Sequence, residues 1–219
     1  VLGDKLKMPV VVDNDVNVGT WGEHVAGAAT KFDDLLGVFV GTGIGGGLIL
    51  GGKLYSGFHH TAGEVGHMVI HADAPRGRRT LENTASRTAI ADQIRKLIEA
   101  NHESAMLDIV DGDLNQIRSK ALSKAVDGED PLTVEVIQKS ADYVGIAIAN
   151  LVTVLSLPCV VVGGGLVEAL GDTYTKWVRD SFVTHVFPSK LRECKVVSGK
   201  LGDDAGVVGA ADLARRRAE

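Results

Sequence analysis

The feature that most constrains the fold is a glycine-rich segment, GTGIGGG at residues 41–47, which directly follows a continuous apolar run at residues 35–40. A short apolar run bounded by turn residues predicts a buried strand, and the glycines predict a tight turn over residues 41–47. Residues 48–50 are apolar again and precede Gly51-Gly52, which predicts a second strand. The segment is therefore interpreted as a hairpin with a glycine turn inside a sheet.

The glycine segment formally matches a dinucleotide-binding pattern at Gly41, Gly43 and Gly46, but its context differs. That pattern needs a helix after the last glycine, so that a pyrophosphate lies at the helix N-terminus. Residues 48–52 instead have the composition of a strand and a turn, and no Lys-Ser or Lys-Thr follows to make a P-loop. Two interpretations remain: a turn whose backbone N–H groups and Thr42 hydroxyl wrap a phosphate, or a plain tight hairpin.

Strands and helices alternate along the rest of the chain, which predicts an α/β fold. Asp130-Pro131 supplies an N-cap and a first helical residue for the longest helix, whose second half is so apolar that it must be buried. Further strands are predicted at residues 9–12, 67–71, 159–162 and 195–198. Helices are predicted at residues 16–29, 82–100, 116–126, 131–155, 166–182 and 205–217.

The charge balance argues against nucleic acid as a partner. The formal net charge is −5, with 28 acidic against 23 basic residues, so a phosphate backbone would need a local basic patch. The arginines at positions 76, 78 and 79 and at 215–217 are interpreted as solvated charge. Two distant cysteines imply no disulfide framework. No apolar run approaches the ~18 residues of a membrane span, and residues 1–12 lack the long apolar region of a signal peptide. We expect a cytoplasmic protein, no membrane partner, and a chain that starts within a longer protein.

Three further groups are candidates for a site. Gly163, Gly164 and Gly165 follow one predicted strand and open a helix, where bare backbone can contact a bulky ligand or merely form a turn. Asn14 and Asp15 follow the first predicted strand, where α/β folds place ligands, although such residues also cap helices. The third group is Glu64, His67 and Glu82. It could bind vicinal hydroxyls, or be a salt-bridged glutamate with a core histidine.

Six motifs, taken in chain order, resemble one family. They are VDNDVN at residues 12–17, GTGIGGG at 41–47, AGEVGH at 62–67, LE at 81–82, VGGGL at 162–166 and LGDDAG at 201–206. In this order and at these separations the set resembles the ROK family (repressor, open reading frame, kinase) of the sugar kinase, heat-shock and actin superfamily. The resemblance covers nearly the whole chain. It implies an actin-like, ribonuclease H-like ATPase lobe over residues 1–219, the carboxy-terminal lobe of a glucokinase-like protein.

The resemblance also implies a role for each matched residue. Asp15 would be the general base that takes the proton of a sugar hydroxyl, with Asn14 holding neighbouring hydroxyls. The sugar's other side would be bound by Glu64, His67 and Glu82. Gly41, Thr42 and Gly43 match the family's second phosphate motif, and Gly163, Gly164 and Gly165 match its adenosine motif. ATP with Mg²⁺ and a hexose would then be the ligands, because phosphoryl transfer mainly requires positioning and charge stabilisation.

The chain departs from the family pattern in two places. The family often has a cysteine-rich zinc knuckle after its histidine, whereas residues 72–80 contain no cysteine; a structural zinc needs four suitable ligands, so we expect no zinc. The second departure is the family's amino-terminal lobe, with its own phosphate loop, which we expect to be absent from this chain. We therefore expect the isolated 219-residue chain to lack kinase activity.

Two other functions compete with the kinase. The family includes sugar-sensing repressors, so the chain could be the non-catalytic sugar-binding domain of a regulator; the presence of Asp15 favours a kinase, since a sensor needs no base. An NAD-binding module would require a helix after Gly47. The identity of the sugar and the oligomeric state are left open, although members of the family that the chain resembles commonly form homodimers.

Overall fold

A mixed sheet of five strands organises the computed structural model, which describes residues 2–218. The strands are β1 (Leu35–Val40), β2 (Ile44–Leu50), β3 (Lys53–Leu54), β4 (Cys159–Gly163) and β5 (Lys195–Ser198). Their spatial order is β3-β2-β1-β4-β5. The three strands β3, β2 and β1 pair antiparallel, whereas β1, β4 and β5 run parallel. The predicted α/β class is confirmed.

Helices pack on both faces of this sheet. In chain order they are α1 (Leu2–Leu6), α2 (Asp15–Val25), α3 (Leu81–Ala85), α4 (Arg87–Glu99), α5 (Met106–Ile109), α6 (Ser119–Asp127), α7 (Pro131–Leu155), α8 (Gly165–Leu170), α9 (Asp172–His185) and α10 (Asp204–Ala218). The predicted bounds of β1, β5 and α7 are confirmed. The Asp130 carboxylate caps α7 by accepting from the Thr133 backbone N–H at 2.9 Å.

The side chains of β1 alternate between two apolar clusters. Leu36 and Val38 face the larger cluster, to which α7 and α9 contribute, and Leu35 faces the smaller one beside Trp21 of α2. Since these β1 side chains are at most 1% exposed, the strand is covered on both faces. This explains why its sequence is a continuous apolar run rather than an alternating one.

The predicted turn over residues 41–47 is wrong in extent, because β2 already begins at Ile44. The glycines within β2 are required by close packing instead. A methyl group on Gly47 would lie 2.4 Å from Thr20 Oγ1, and one on Gly37 of β1 would lie 2.3 Å from the same atom. Helix α2 therefore rests almost directly on the sheet backbone, and only residues 41–43 form the turn.

The strands predicted at residues 9–12 and 67–71 are absent. A strand needs a neighbour for its backbone hydrogen bonds, and residues 9–12 pair with no other segment between residues 2 and 218; Val12 is 88% exposed. The second segment contains part of a 3-10 helix, Val65–His67, followed by a single bridge between Val69 and Thr80.

Three predicted helices differ most in extent, and α6 begins at Ser119 rather than at residue 116. Ser86 interrupts the helix predicted at residues 82–100, because its hydroxyl accepts from the Ala89 N–H at 3.2 Å and starts α4 as an N-cap. Gly171, with φ of 59°, separates α8 from α9. Helix α2 ends at Val25 rather than residue 29, and the Ala28 N–H is bound by the Glu23 carboxylate at 2.7 Å.

Candidate active site

The three parallel strands end at one edge of the sheet, and the two glycine motifs lie there side by side. Gly41 follows β1, and Gly164 follows β4. Gly164 has φ of +90°, and a methyl group on it would lie 2.8 Å from both the nitrogen and the oxygen of Val40. Only glycine fits this position. The structure therefore brings together the two glycine segments that the sequence places far apart.

The turn Gly41–Thr42–Gly43 is closed by a hydrogen bond from the Gly41 N–H to the Gly43 carbonyl at 2.9 Å. A methyl group on Gly41 would meet no atom within 4 Å, so this backbone borders open space. On the other side, the Glu82 carboxylate accepts from the Ile44 N–H at 2.9 Å. Glu82 thus supports one side of the turn, and the backbone at Gly41 is open. Phosphate binding to the backbone would require this arrangement.

The amino end of α4 is fastened to this turn. The Arg87 backbone N–H donates to the Gly41 carbonyl at 2.9 Å, and the Thr88 hydroxyl donates to the Thr42 carbonyl at 2.7 Å. The Arg87 guanidinium donates to the Thr42 hydroxyl at 2.5 Å and to the Ser119 hydroxyl at 3.3 Å. Sequence reasoning missed Arg87 and Ser119. An arginine directly after a helix N-cap is the one local signal that marks Arg87.

A polar groove of about 620 Å³ runs from the turn between α4 and the segment before α6. Its walls include Thr42, Arg87, Arg95, Leu114 and Arg118. A second cavity of about 300 Å³ lies on the other side of Gly163 and Gly164. Glu168 lines it, and burial together with the nearby Asp203 raises the pKa of its carboxyl group. The groove is the larger space and directly adjoins the turn.

Glu23, also missed by sequence reasoning, is a buried carboxylate, 1% exposed, at the second cavity. It accepts from the backbone N–H groups of Lys200 and Leu201, each at 2.8 Å, in addition to Ala28. It therefore joins the end of α2 to the loop after β5. A glutamate inside a segment that is otherwise buried was the available signal.

Asn14 and Asp15 begin α2, and Asn14 is the residue that caps it. Asn14 Oδ1 accepts from the N–H groups of Val16 at 2.9 Å and Asn17 at 3.1 Å. Asp15 is the first helical residue and is exposed. Val16 contacts the strand after the glycine turn, since a methyl group on Gly45 would lie 2.6 Å from Val16 Cγ2. Asp15 is therefore next to a residue that packs on β2. Its carboxylate accepts from the Val16 N–H at 2.9 Å, while Asn14 is the helix cap.

The structure brings Glu64 and His67 together, but the Glu82 carboxylate is directed to the glycine turn. His67 Nε2 lies 3.9 Å from Glu64 Oε2, and both side chains are at least half exposed. His67 is therefore not a core histidine. Although its Cβ lies near Gly66, Glu82 directs its carboxylate to Ile44.

Two features are absent from residues 2–218. No group of three or more histidine, cysteine, aspartate or glutamate side chains is arranged to hold a metal ion. Within the same part of the chain, no helix combines the length and apolar character required to span a bilayer.

The sheet and the paired glycine motifs define the actin-like ATPase fold. The chain belongs to the ROK family, whose family model matches residues 1–217. It is 33% identical to a glucokinase of Halalkalibacterium halodurans, over 99% of this chain and 66% of that protein. The chain thus spans about two thirds of the length of this relative.

Two solved structures are similar over 98% of the chain. One is a ROK family glucokinase from Streptomyces griseus in complex with glucose and AMPPNP, with a TM-score of 0.89, 33% identity and 71% of that chain covered. The other is a ROK family transcriptional regulator, a homologue of the E. coli MLC protein, with a TM-score of 0.86, 25% identity and 54% of that chain covered. Both functional classes considered from the sequence thus occur among similar structures.

Proposed function

We propose that this chain is the sugar- and nucleotide-binding carboxy-terminal lobe of an ATP-dependent hexose kinase of the glucokinase type. The complete two-lobed protein would transfer the phosphoryl group, with the sugar in the cleft between the lobes. The likeness to glucokinases in sequence and in structure supports this proposal.

The observation that carries the proposal is the position of Asp15 relative to the glycine turn. Val16, the next residue, packs against Gly45, two residues beyond the turn, so the amino end of α2, which carries Asp15, lies beside the strand that begins after the turn. A kinase needs a carboxylate close to the nucleophilic hydroxyl and phosphate-binding groups close by. The exposure of Asp15 leaves its carboxylate accessible to a substrate.

Each residue of the site has a definite task in this proposal. Asp15 accepts the proton of the attacking sugar hydroxyl. Asn14 uses Oδ1 to cap α2, which leaves its NH₂ group to donate to a sugar oxygen. Glu64 and His67 bind hydroxyls on the other side of the sugar, and Glu82 either joins them or acts through the turn that it supports.

The same edge of the sheet suits a nucleotide. The backbone at Gly41 borders open space, and the adjoining groove of about 620 Å³ is large enough for a nucleotide-sized ligand. Gly41, Thr42 and Gly43 would hold phosphates, and Gly163 to Gly165 would lie against the adenosine. Mg²⁺ is usually held by substrate phosphates and one or two carboxylates, and when bound it would supply charge neutralisation.

A kinase assay with a hexose panel tests the proposal. The two-lobed protein should phosphorylate at least one hexose in the presence of ATP and Mg²⁺. The 219-residue chain alone should bind nucleotide but show no transfer, because half of the phosphate clamp and the cleft wall are missing. Robust turnover by this chain alone would contradict the two-lobe assignment.

A sugar-sensing regulator is the second candidate, and the likeness to a ROK transcriptional regulator supports it. The assay separates the two. If the two-lobed protein binds a hexose tightly but turns over no ATP with any sugar of the panel, the kinase proposal fails and the regulator replaces it.

A further inference from the structure

Arg87 has an unusual position for a cation. It is the first residue of α4, where the helix dipole disfavours positive charge. Its side chain nevertheless turns back along the phosphate turn and donates to the Thr42 hydroxyl at 2.5 Å. The guanidinium is therefore held beside the turn by specific contacts, against the local electrostatic preference.

The hydrogen-bond acceptors of the Arg87 side chain are uncharged. They are the hydroxyls of Thr42 and Ser119, the latter at 3.3 Å, and between residues 2 and 218 no carboxylate lies within ion-pair distance of Arg87. By contrast, Arg95 and Lys96 in the same groove both pair with Asp92. A guanidinium has more N–H donors than Arg87 uses. It thus keeps both a net charge and donors for an anion.

Arg87 also connects the two glycine motifs. Ser119 lies beside Gly165, because a methyl group on Gly165 would be 3.9 Å from Ser119 Oγ. Thr42, Arg87, Ser119 and Gly165 therefore form a continuous line from the phosphate turn to the second glycine motif. An elongated ligand that touches both motifs has to pass the guanidinium.

We propose that Arg87 binds the phosphate groups of the nucleotide and is the main protein cation for them in this lobe. The proposal rests on the proposed function. Charge-assisted hydrogen bonds to phosphate are stronger than bonds to hydroxyls, so the guanidinium exchanges its long bond to Ser119 for a phosphate oxygen and stays anchored to Thr42.

Nucleotide affinity measured as a function of ligand charge tests this role. AMPPNP, ADP, AMP and adenosine are titrated calorimetrically into the 219-residue chain and its Arg87→Met variant. We expect AMPPNP binding to weaken roughly 10- to 100-fold, the range for a hydrogen bond to a charged group. The loss should shrink from AMPPNP to AMP, and adenosine, which is uncharged, should bind within about threefold of the parent. The AMPPNP affinity of the variant should also depend less on salt concentration than the affinity of the parent does.

Two further variants provide controls. Arg192→Met makes the same charge change at an exposed arginine that lines neither the groove nor the glycine turn, and should alter AMPPNP affinity by less than about threefold. Arg87→Lys keeps the charge and should recover part of the lost affinity, although a lysine lacks the fork of donors. Thermal melting shows whether each variant is folded.

Each result has a distinct meaning. If the parent binds AMPPNP and Arg87→Met weakens all four ligands equally, Arg87 only shapes the turn and the inference is wrong. Equal AMPPNP affinity in parent and variant also overturns it, while the proposed function survives. If the folded parent binds no nucleotide, the nucleotide site and the inference fall together.

Discussion

The Glu82 carboxylate and the Ile44 backbone nitrogen are joined by a hydrogen bond of 2.9 Å directly behind the glycine turn. Glu82 and Ile44 lie far apart in sequence, so this bond fixes the hairpin to α3. The residue that the family resemblance implies as a sugar ligand thus has a structural partner at the turn for which we propose phosphate binding.

Replacing Glu82 separates these two roles. Glu82→Ala leaves the Ile44 N–H without its acceptor. We therefore expect the unfolding free energy to fall by about 1–3 kcal/mol, and we expect the affinities for AMPPNP and for the sugar to fall together. Glu82→Gln keeps an oxygen acceptor and should bind AMPPNP nearly as well as the parent. Calorimetric titration with both ligands is the measurement. Normal AMPPNP binding by a folded Glu82→Ala variant would show that the bond to Ile44 does not support the turn.

Replacing Asp15 by asparagine in the two-lobed protein tests the general base. The side chain keeps its size but cannot accept a proton, so kcat should fall by ~10²- to 10⁴-fold while sugar affinity changes by less than roughly tenfold. Because Asn14 rather than Asp15 caps α2, stability should hardly change. Asn14→Ala is the comparison, and loss of its cap should cost about 1 kcal/mol. A kcat within a small factor of the parent would exclude Asp15 as the base.

The contact between α2 and the sheet predicts a large cost for one methyl group. In Gly47→Ala the new Cβ would lie 2.4 Å from Thr20 Oγ1 and 2.7 Å from Thr20 Cβ, and overpacking of this kind costs about 1–3 kcal/mol. Gly206→Ala in α10 is the matched control, since its Cβ meets no atom within 4 Å, and it should be neutral or stabilising by up to about 1 kcal/mol. Urea unfolding compares the two, and equal stabilities would contradict the close packing.

Asp212 predicts acid sensitivity. Hydrogen bonds from Arg215, then Arg216 and Trp21, lower the pKa of its carboxyl group from 3.8 to about 2. A lowered pKa in the folded state stabilises the fold above the unfolded value, and this contribution is lost as the pH falls from about 4 toward 2. Asp212→Asn should therefore be less stable than the parent at pH 7, with the difference narrowing below pH 4. Thermal melting of both proteins between pH 7 and pH 2 measures this difference in stability. A difference that stays constant over the range would show that the lowered pKa of Asp212 does not stabilise the fold.

The parts of the fold that could be predicted are those that follow from the sequence of the segment itself. Strand β1 was predicted from its apolar run, and α7 from Asp130-Pro131 and its apolar second half. The segment at residues 9–12 has strand composition, but a strand also requires a neighbour, which composition does not reveal. The glycines of β2 were assigned to a turn because the sequence alone does not show that α2, which comes from a distant segment, packs against them.

The same distinction between local sequence and distant neighbours applies to the candidate site. Motif spacing was enough to single out Asn14, Asp15 and the two glycine segments. It could not show that Asn14 takes the cap and leaves Asp15 accessible, because either residue type caps helices well. Arg87 was missed since its meaning depends on Thr42 and Ser119, neither of which is near it in sequence.

The glycines beneath α2 have a mechanical consequence. Where Thr20 meets Gly37 and Gly47, its one short side chain is all that separates the helix from the sheet backbone, and closely packed interiors compress very little. The distance between α2 and strands β1 and β2 is consequently held within a narrow range. Side chains at the surface can repack without moving the amino end of α2 relative to the strand that begins after the glycine turn. This part of the chain therefore behaves as a rigid unit in any conformational change.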